Sequence, residues 1–127
     1  GNLVVVSAGT AITVDAVTAN GDYLGGCILP GLTLMRRALF EHTARLPMAE
    51  GRVQDFPQQT IDAIQTGVVD AACGAIERLC RRLEARGRQR PQILLAGGDA
   101  PRLAEWMPQP CQVVDGLVLE GLHLLSS

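Results

Sequence analysis

The stretch LVVVSAGTAITVDAVTANGDYLGGCIL, residues 3–29, reads as three short strands joined by two turns. Leu3 to Val6 is an apolar, β-branched run of the kind that forms a buried strand. Gly9-Thr10 interrupts it. Ile12, Val14 and Val17 then mark a second strand that carries Thr13 and Asp15 on its other face. Asn20-Gly21-Asp22 is a strong turn signal. Tyr23 to Leu29 forms the third strand, and Gly25-Gly26 within it predicts a bulge or a close backbone approach. Together these segments make a three-stranded antiparallel meander.

Working outward, Pro30-Gly31 ends the strands and opens a helix with Leu32, Met35, Leu39 and Thr43 on one face. Residues 45–56 read as irregular loop. A long helix starts near Thr60, where the local reading is a capping hydroxyl. Ile61, Ile64, Val68, Ala71, Ala75, Leu79 and Leu83 keep helical spacing along it. Gly67 and Gly74 each cost about 1 kcal/mol inside a helix, so a close-packed neighbour is expected there, and the face either forms a two-fold dimer contact or only covers the sheet. Gly87 should end the helix. Ile93–Leu95 is a strand, Pro101 opens a short helix through Trp106, Val113-Val114 is a last strand, and Leu117–Leu125 a terminal helix. The order βββ-α-α-β-α-β-α predicts an α/β domain of the ribonuclease H-like layout shared by actin and the acetate and sugar kinases.

Composition narrows the functional classes. The 127 residues are 47% hydrophobic and 19% charged, which excludes disorder, and no apolar run is long enough to span a membrane. The apolar start lacks the basic flank of a signal peptide, so a cytoplasmic location is expected. A net charge of −2 argues against nucleic acid as the partner. Arg78, Arg81, Arg82, Arg86, Arg88 and Arg90 cluster, but no aromatic residues interleave with them; a solvated helix end, with Glu77 pairing to Arg81, accounts for them. Cys27, Cys73, Cys80 and Cys111 are not in metal-ligand spacing and His42 and His123 are isolated, so the cysteines read as small buried hydrophobes.

Three places carry candidate chemistry. In Ser7 to Asp15, a glycine at a strand-to-strand turn lets main-chain N–H groups approach an anion, and Thr10 adds a hydroxyl. Thr13 and Asp15 suit a phosphate chain with hydrated Mg²⁺, though an ordinary hairpin with a polar face has the same pattern. Gly97-Gly98-Asp99 lies between a strand and a helix, where either a tight turn or a ligand loop fits. Asp15, Asp99 and Asp115 could make a two-metal nuclease site, but the first strand lacks the acid such a site needs.

The runs VVVSAGTAITVDAV, GDYLGGCILPGLTLMRRAL, TARLP, TIDAIQTGV, ILLAGGDA and LVLEGL, in this order, resemble the C-terminal half of type III pantothenate kinases, a family that includes the Bvg accessory factor (Baf) proteins. The resemblance implies a single C-terminal ATPase-like domain over residues 1–127, with ATP-dependent phosphorylation of pantothenate as the activity of the intact protein. It implies that Gly9, Thr10 and Ala11 contact ATP phosphates, that Gly97 and Gly98 lie near the nucleoside, and that Thr60 reaches pantothenate in the neighbouring subunit of a homodimer. Ser7 stands where the family has an aspartate that holds a monovalent cation, K⁺ or NH₄⁺, and a neutral hydroxyl is the weaker ligand. The family's Asp-x-Gly-Asn-Thr loop and its Gly-x-Asp-Arg motif, which supplies the base, are expected in an N-terminal half that this sequence lacks, so the chain alone should be inactive. A non-catalytic accessory role on the same fold, or a kinase of another small alcohol, are the competing expectations.

Overall fold

The structure, a computed structural model, describes residues 1–42 and 49–116. Five strands form one mixed sheet in the order β3-β2-β1-β4-β5. They are β1 (Leu3–Ala8), β2 (Ala11–Val17), β3 (Tyr23–Pro30), β4 (Gln92–Ala96) and β5 (Gln112–Val113). The helices are α1 (Leu32–His42), α2 (Thr60–Gly87) and α3 (Ala100–Trp106). The meander forms as expected: β1 pairs antiparallel with β2, and β2 with β3. Gly21 closes the second turn at φ +87°, a conformation glycine adopts without steric cost, and the Thr18 hydroxyl accepts the Asp22 N–H at 3.0 Å. The bulge falls where Gly25-Gly26 predicts it: the register shifts between Ala16 and Val17, opposite Gly25 and Tyr23.

β4 returns parallel to β1, placing β1 in the middle of the sheet. That central position explains why Val4, Val5 and Val6 are all fully buried: both faces of β1 are covered, so its sequence is continuously apolar. On one face, Val4, Val6, Ala8, Ile12, Val14, Ala16, Ile93 and Leu95 pack with α2 and α3 in the main core. On the other, Val5, Val17 and Ala96 form a smaller cluster with Leu3 and Val114 beside it.

Three expectations change. In α2, Ala71 is exposed and Ala75 half-buried, while the buried stripe runs through Gln65, Thr66, Val68, Val69, Ala72, Cys73, Ile76, Leu79, Cys80 and Leu83. Alanine and glycine fit either side of a helix, so the larger side chains at 69, 76, 79 and 83 decide which side turns inward; each is worth about 2 kcal/mol on full burial. The left-handed residue ending α2 is Arg88 (φ 57°), whose N–H reaches the Glu84 carbonyl at 2.6 Å. The helix ends at Gly87, as its sequence predicts, and the left-handed cap is the next residue. Cys27 is exposed and Cys111 half-buried; Cys73 and Cys80 are the buried pair. Arg102 pairs with Glu50, whereas Glu77 and Arg81 form no ion pair. Thr43 and the expected helix Leu117–Leu125 lie outside the described residues.

Candidate phosphate-binding end of the sheet

The parallel pairing of β1 and β4 places Ala8 and Ala96, and the glycine turns that follow them, at the same end of the sheet. Backbone contacts bring these turns together. The Asp99 N–H donates to the Ala8 carbonyl at 3.1 Å. Gly97, at φ +98°, lies so close to β1 that a Cβ there would stand 2.4 Å from the Ala8 carbonyl oxygen. From the other side, the Gly31 N–H donates to the Thr10 carbonyl at 2.8 Å, and a Cβ on Gly31 would stand 2.1 Å from the Gly9 oxygen. Three glycine segments that are separated in sequence therefore pack together at one end of the sheet, with Gly31 buried beneath the exposed turns. Carboxyl ends of strands are the usual ligand-binding edge of α/β sheets.

Gly9, Thr10, Ala11, Gly97 and Gly98 are all exposed, so the bend opens to solvent and not into the apolar interior. Fewer main-chain donors point outward than a glycine turn suggests. The Gly9 N–H is used within the turn, on the Ala11 carbonyl at 3.0 Å. The N–H groups of Thr10, Gly97 and Gly98 make no hydrogen bond among the described residues, which leaves them, with the Thr10 hydroxyl, as the unused donors of these turns. Gly31 is the residue that sequence reading missed. Pro30-Gly31 reads as a strand stop, and its glycine signal is the trace of the wedge against Gly9 and Thr10.

Ser7, Thr13 and Asp15 share the sheet face opposite α2, since their neighbours of the other parity fill the main core. Ser7 pairs with Thr13 on one side and Ala96 on the other. Asp15 pairs with Val5, five residues along β2 from Thr10, or roughly 16 Å at strand rise. Its Oδ1 accepts the Tyr23 hydroxyl at 3.2 Å, and the carboxylate's charge pushes the Tyr23 phenol above its usual range. Among the described residues no three His, Cys, Asp or Glu converge on a metal position. Asp15, Asp99 and Asp115 are therefore not a two-metal cluster.

Thr60 is the first residue of α2 and not its cap: Gln59 takes the N-cap position, and no side chain caps the helix. Thr60 is exposed and lines a groove of about 610 Å³ between α1 and α2, with Pro30, Leu34, Met35, Ala63 and Gly67 among its walls. No atom lies within 4 Å of a Cβ built on Gly67 or Gly74. The expected close neighbour of these glycines is thus absent among the described residues.

Residues 1–82 match the type III pantothenate kinase family. Among similar proteins are the type III pantothenate kinases of Chromobacterium violaceum, 52% identical over 96% of this chain and 52% of the relative, and of Aromatoleum aromaticum, 51% identical over 96% and 50%. A crystal structure described as a Baf family transcriptional activator from Campylobacter jejuni superposes with a TM-score of 0.69 at 28% identity, covering 98% of this chain and 56% of that one. The chain spans about half the length of the curated relatives it matches.

Proposed function

The chain belongs to the type III pantothenate kinase family, and from that premise we propose that it is the C-terminal, ATPase-like half of an enzyme that phosphorylates pantothenate. The reaction moves the terminal phosphoryl group of ATP to the hydroxyl of pantothenate, giving 4′-phosphopantothenate for coenzyme A synthesis. The fold is then ribonuclease H-like, of the actin and acetate and sugar kinase superfamily. The observation that carries the reading is the convergence of the exposed Gly9-Thr10 and Gly97-Gly98 turns at one end of the sheet, with buried Gly31 wedged against the first.

Phosphoryl transfer needs positioning and charge stabilisation more than covalent chemistry from the protein. In this reading the Thr10 N–H and hydroxyl donate to phosphate oxygens, and Gly9 and Ala11 keep the approach free of bulk. Gly98, with its unused N–H, lies beside the nucleoside, and Gly97 fixes that loop against β1. Mg²⁺, when bound, neutralises charge on the transferring phosphoryl group. A Mg²⁺ ion would be held by phosphate oxygens and water rather than by a protein cage, and Asp15, roughly 16 Å along β2 from Thr10, would contact it only through a bound water. Ser7 offers a K⁺ or NH₄⁺ ion a neutral hydroxyl, so the monovalent cation site is weakened. The other half supplies the base and the first phosphate clamp.

Thr60 is assigned to pantothenate in a neighbouring subunit, with the apolar groove around Gly67 as the homodimer face. The apolar lining of that groove supports this, because a face that stays exposed in the monomer gains by being covered. The protein works in the cytoplasm in this reading. A second reading, a non-catalytic accessory protein, is favoured by Ser7 in place of a charged ligand and by the description of the Campylobacter jejuni neighbour.

Coupled turnover of the whole protein with ATP, Mg²⁺ and pantothenate tests the proposal. Turnover is expected, with Thr10→Ala lowering kcat by about 100-fold, the usual loss for one well-placed donor to a developing charge. The isolated 127-residue chain should show none. Absence of turnover in the whole protein supports the accessory reading, and turnover by the isolated chain that survives Thr10→Ala contradicts the site.

A further inference from the structure

The start of α2 has no side-chain cap, yet it carries the residue assigned to the substrate. An uncapped first turn leaves N–H groups unsatisfied and frays readily. Here residues 51–54 lie along it as a strap. The Asp62 carboxylate accepts the Arg52 N–H at 2.9 Å. The Thr66 hydroxyl accepts the Gln54 N–H at 3.0 Å and donates to the Arg52 carbonyl at 3.4 Å. Gly51 sits so tightly on the helix that a Cβ there would stand 2.4 Å from the Ile61 carbonyl oxygen. Thr66 is buried, so its two bonds are partly shielded from competing water, while the Asp62 bond is exposed. One residue before it, buried Gln65 accepts a bond from the Arg36 guanidinium at 2.9 Å, which ties α1 to the same two turns.

We propose that Asp62 and Thr66 are positioning residues that set Thr60 in the groove through the strap, and so govern pantothenate binding. This rests on the kinase reading above. A contact that is equally strong in the bound substrate and in the transition state affects KM and leaves kcat unchanged, so the inference predicts a split between the two.

The whole protein is assayed as wild type, Thr66→Val, Thr66→Ser, Asp62→Ala and Asp62→Asn. Serine keeps the hydroxyl, and asparagine keeps an acceptor oxygen. With Thr66→Val and Asp62→Ala, the KM for pantothenate is expected to rise about 10-fold, as one lost bond's worth of misplacement allows. The KM for ATP and kcat should stay within twofold. Backbone hydrogen exchange at residues 52, 54 and 63 should quicken while residues 72–80 are unchanged. The conservative variants should behave as wild type. Asp62 is only half-buried, so Asp62→Ala keeps the test decisive if Thr66→Val does not fold. Faster exchange with an unchanged KM for pantothenate overturns the inference, as does a joint loss of kcat and both KM values. Failure of the wild type to turn over overturns the kinase reading and this inference with it, and is told apart by the wild-type assay alone.

Discussion

Gly97→Ala tests the junction on which the candidate site depends. The residue adopts φ +98°, which side chains rarely tolerate, and a Cβ there would meet three Ala8 backbone atoms: the carbonyl oxygen at 2.4 Å, the carbonyl carbon at 2.8 Å and the nitrogen at 2.9 Å. None of these belongs to a flexible side chain, and Ala8 lies in the central strand, so neither partner can give way easily. Backbone strain of this kind costs about 1–3 kcal/mol, and forcing extra volume into a packed contact costs about 1–3 kcal/mol more. A loss near 4 kcal/mol is a large part of the total stability of an ordinary domain. At about 4 °C per kcal/mol for a chain of this size, Tm should fall by about 15 °C. Gly98→Ala is the control: a Cβ there meets nothing within 4 Å, and its φ is not positive. Urea denaturation and thermal melting followed by circular dichroism measure both. A Gly97→Ala loss below 1 kcal/mol, or an equal loss from Gly98→Ala, would refute the close approach of the β4–α3 turn to β1.

Gly67→Ala and Gly74→Ala should each stabilise the helix by about 1 kcal/mol, since a Cβ at either site meets nothing within 4 Å among the described residues. Gly67 also lines the groove proposed as a dimer face, so sedimentation velocity should show weaker association for Gly67→Ala and not for Gly74→Ala. Alkaline pH should destabilise the fold. Burial foremost, and nearby Glu77 among lesser causes, pushes the Cys73 thiol up to about 12 and that of Cys80 to about 11. Their ordinary value is 9.0, so above it the unfolded chain releases protons that the folded chain keeps, and stability falls from there until the folded values are passed. The slope is at most about 1.4 kcal/mol per pH unit for each thiol. The Cys73→Ala, Cys80→Ala double variant should flatten the alkaline limb of a stability–pH curve, and an unchanged limb would show that the thiols are not its source.

Local patterning was enough to read the meander. The strands at 3–8, 11–17 and 23–30 follow from β-branched runs broken by Gly9 and Gly21, because alternation and turn chemistry act over a few residues. The extent of α2 and the Pro101-led start of α3 were legible for the same reason, as was the exposed Gly9-Thr10 bend. Tertiary structure decided what lies between. The pairing of β4 with β1 spans about eighty residues of chain, and it alone brings Gly97 against Ala8. No periodicity encodes that distance. Nor does spacing reveal the inward side of α2, because its small residues suit both sides and only the sheet it packs on breaks the tie. Thr66 and Asp62 read as ordinary helix positions until the strap at 51–54 gives each a backbone partner. A sequence specifies hydrogen-bonding groups one at a time, and folding determines which of them meet.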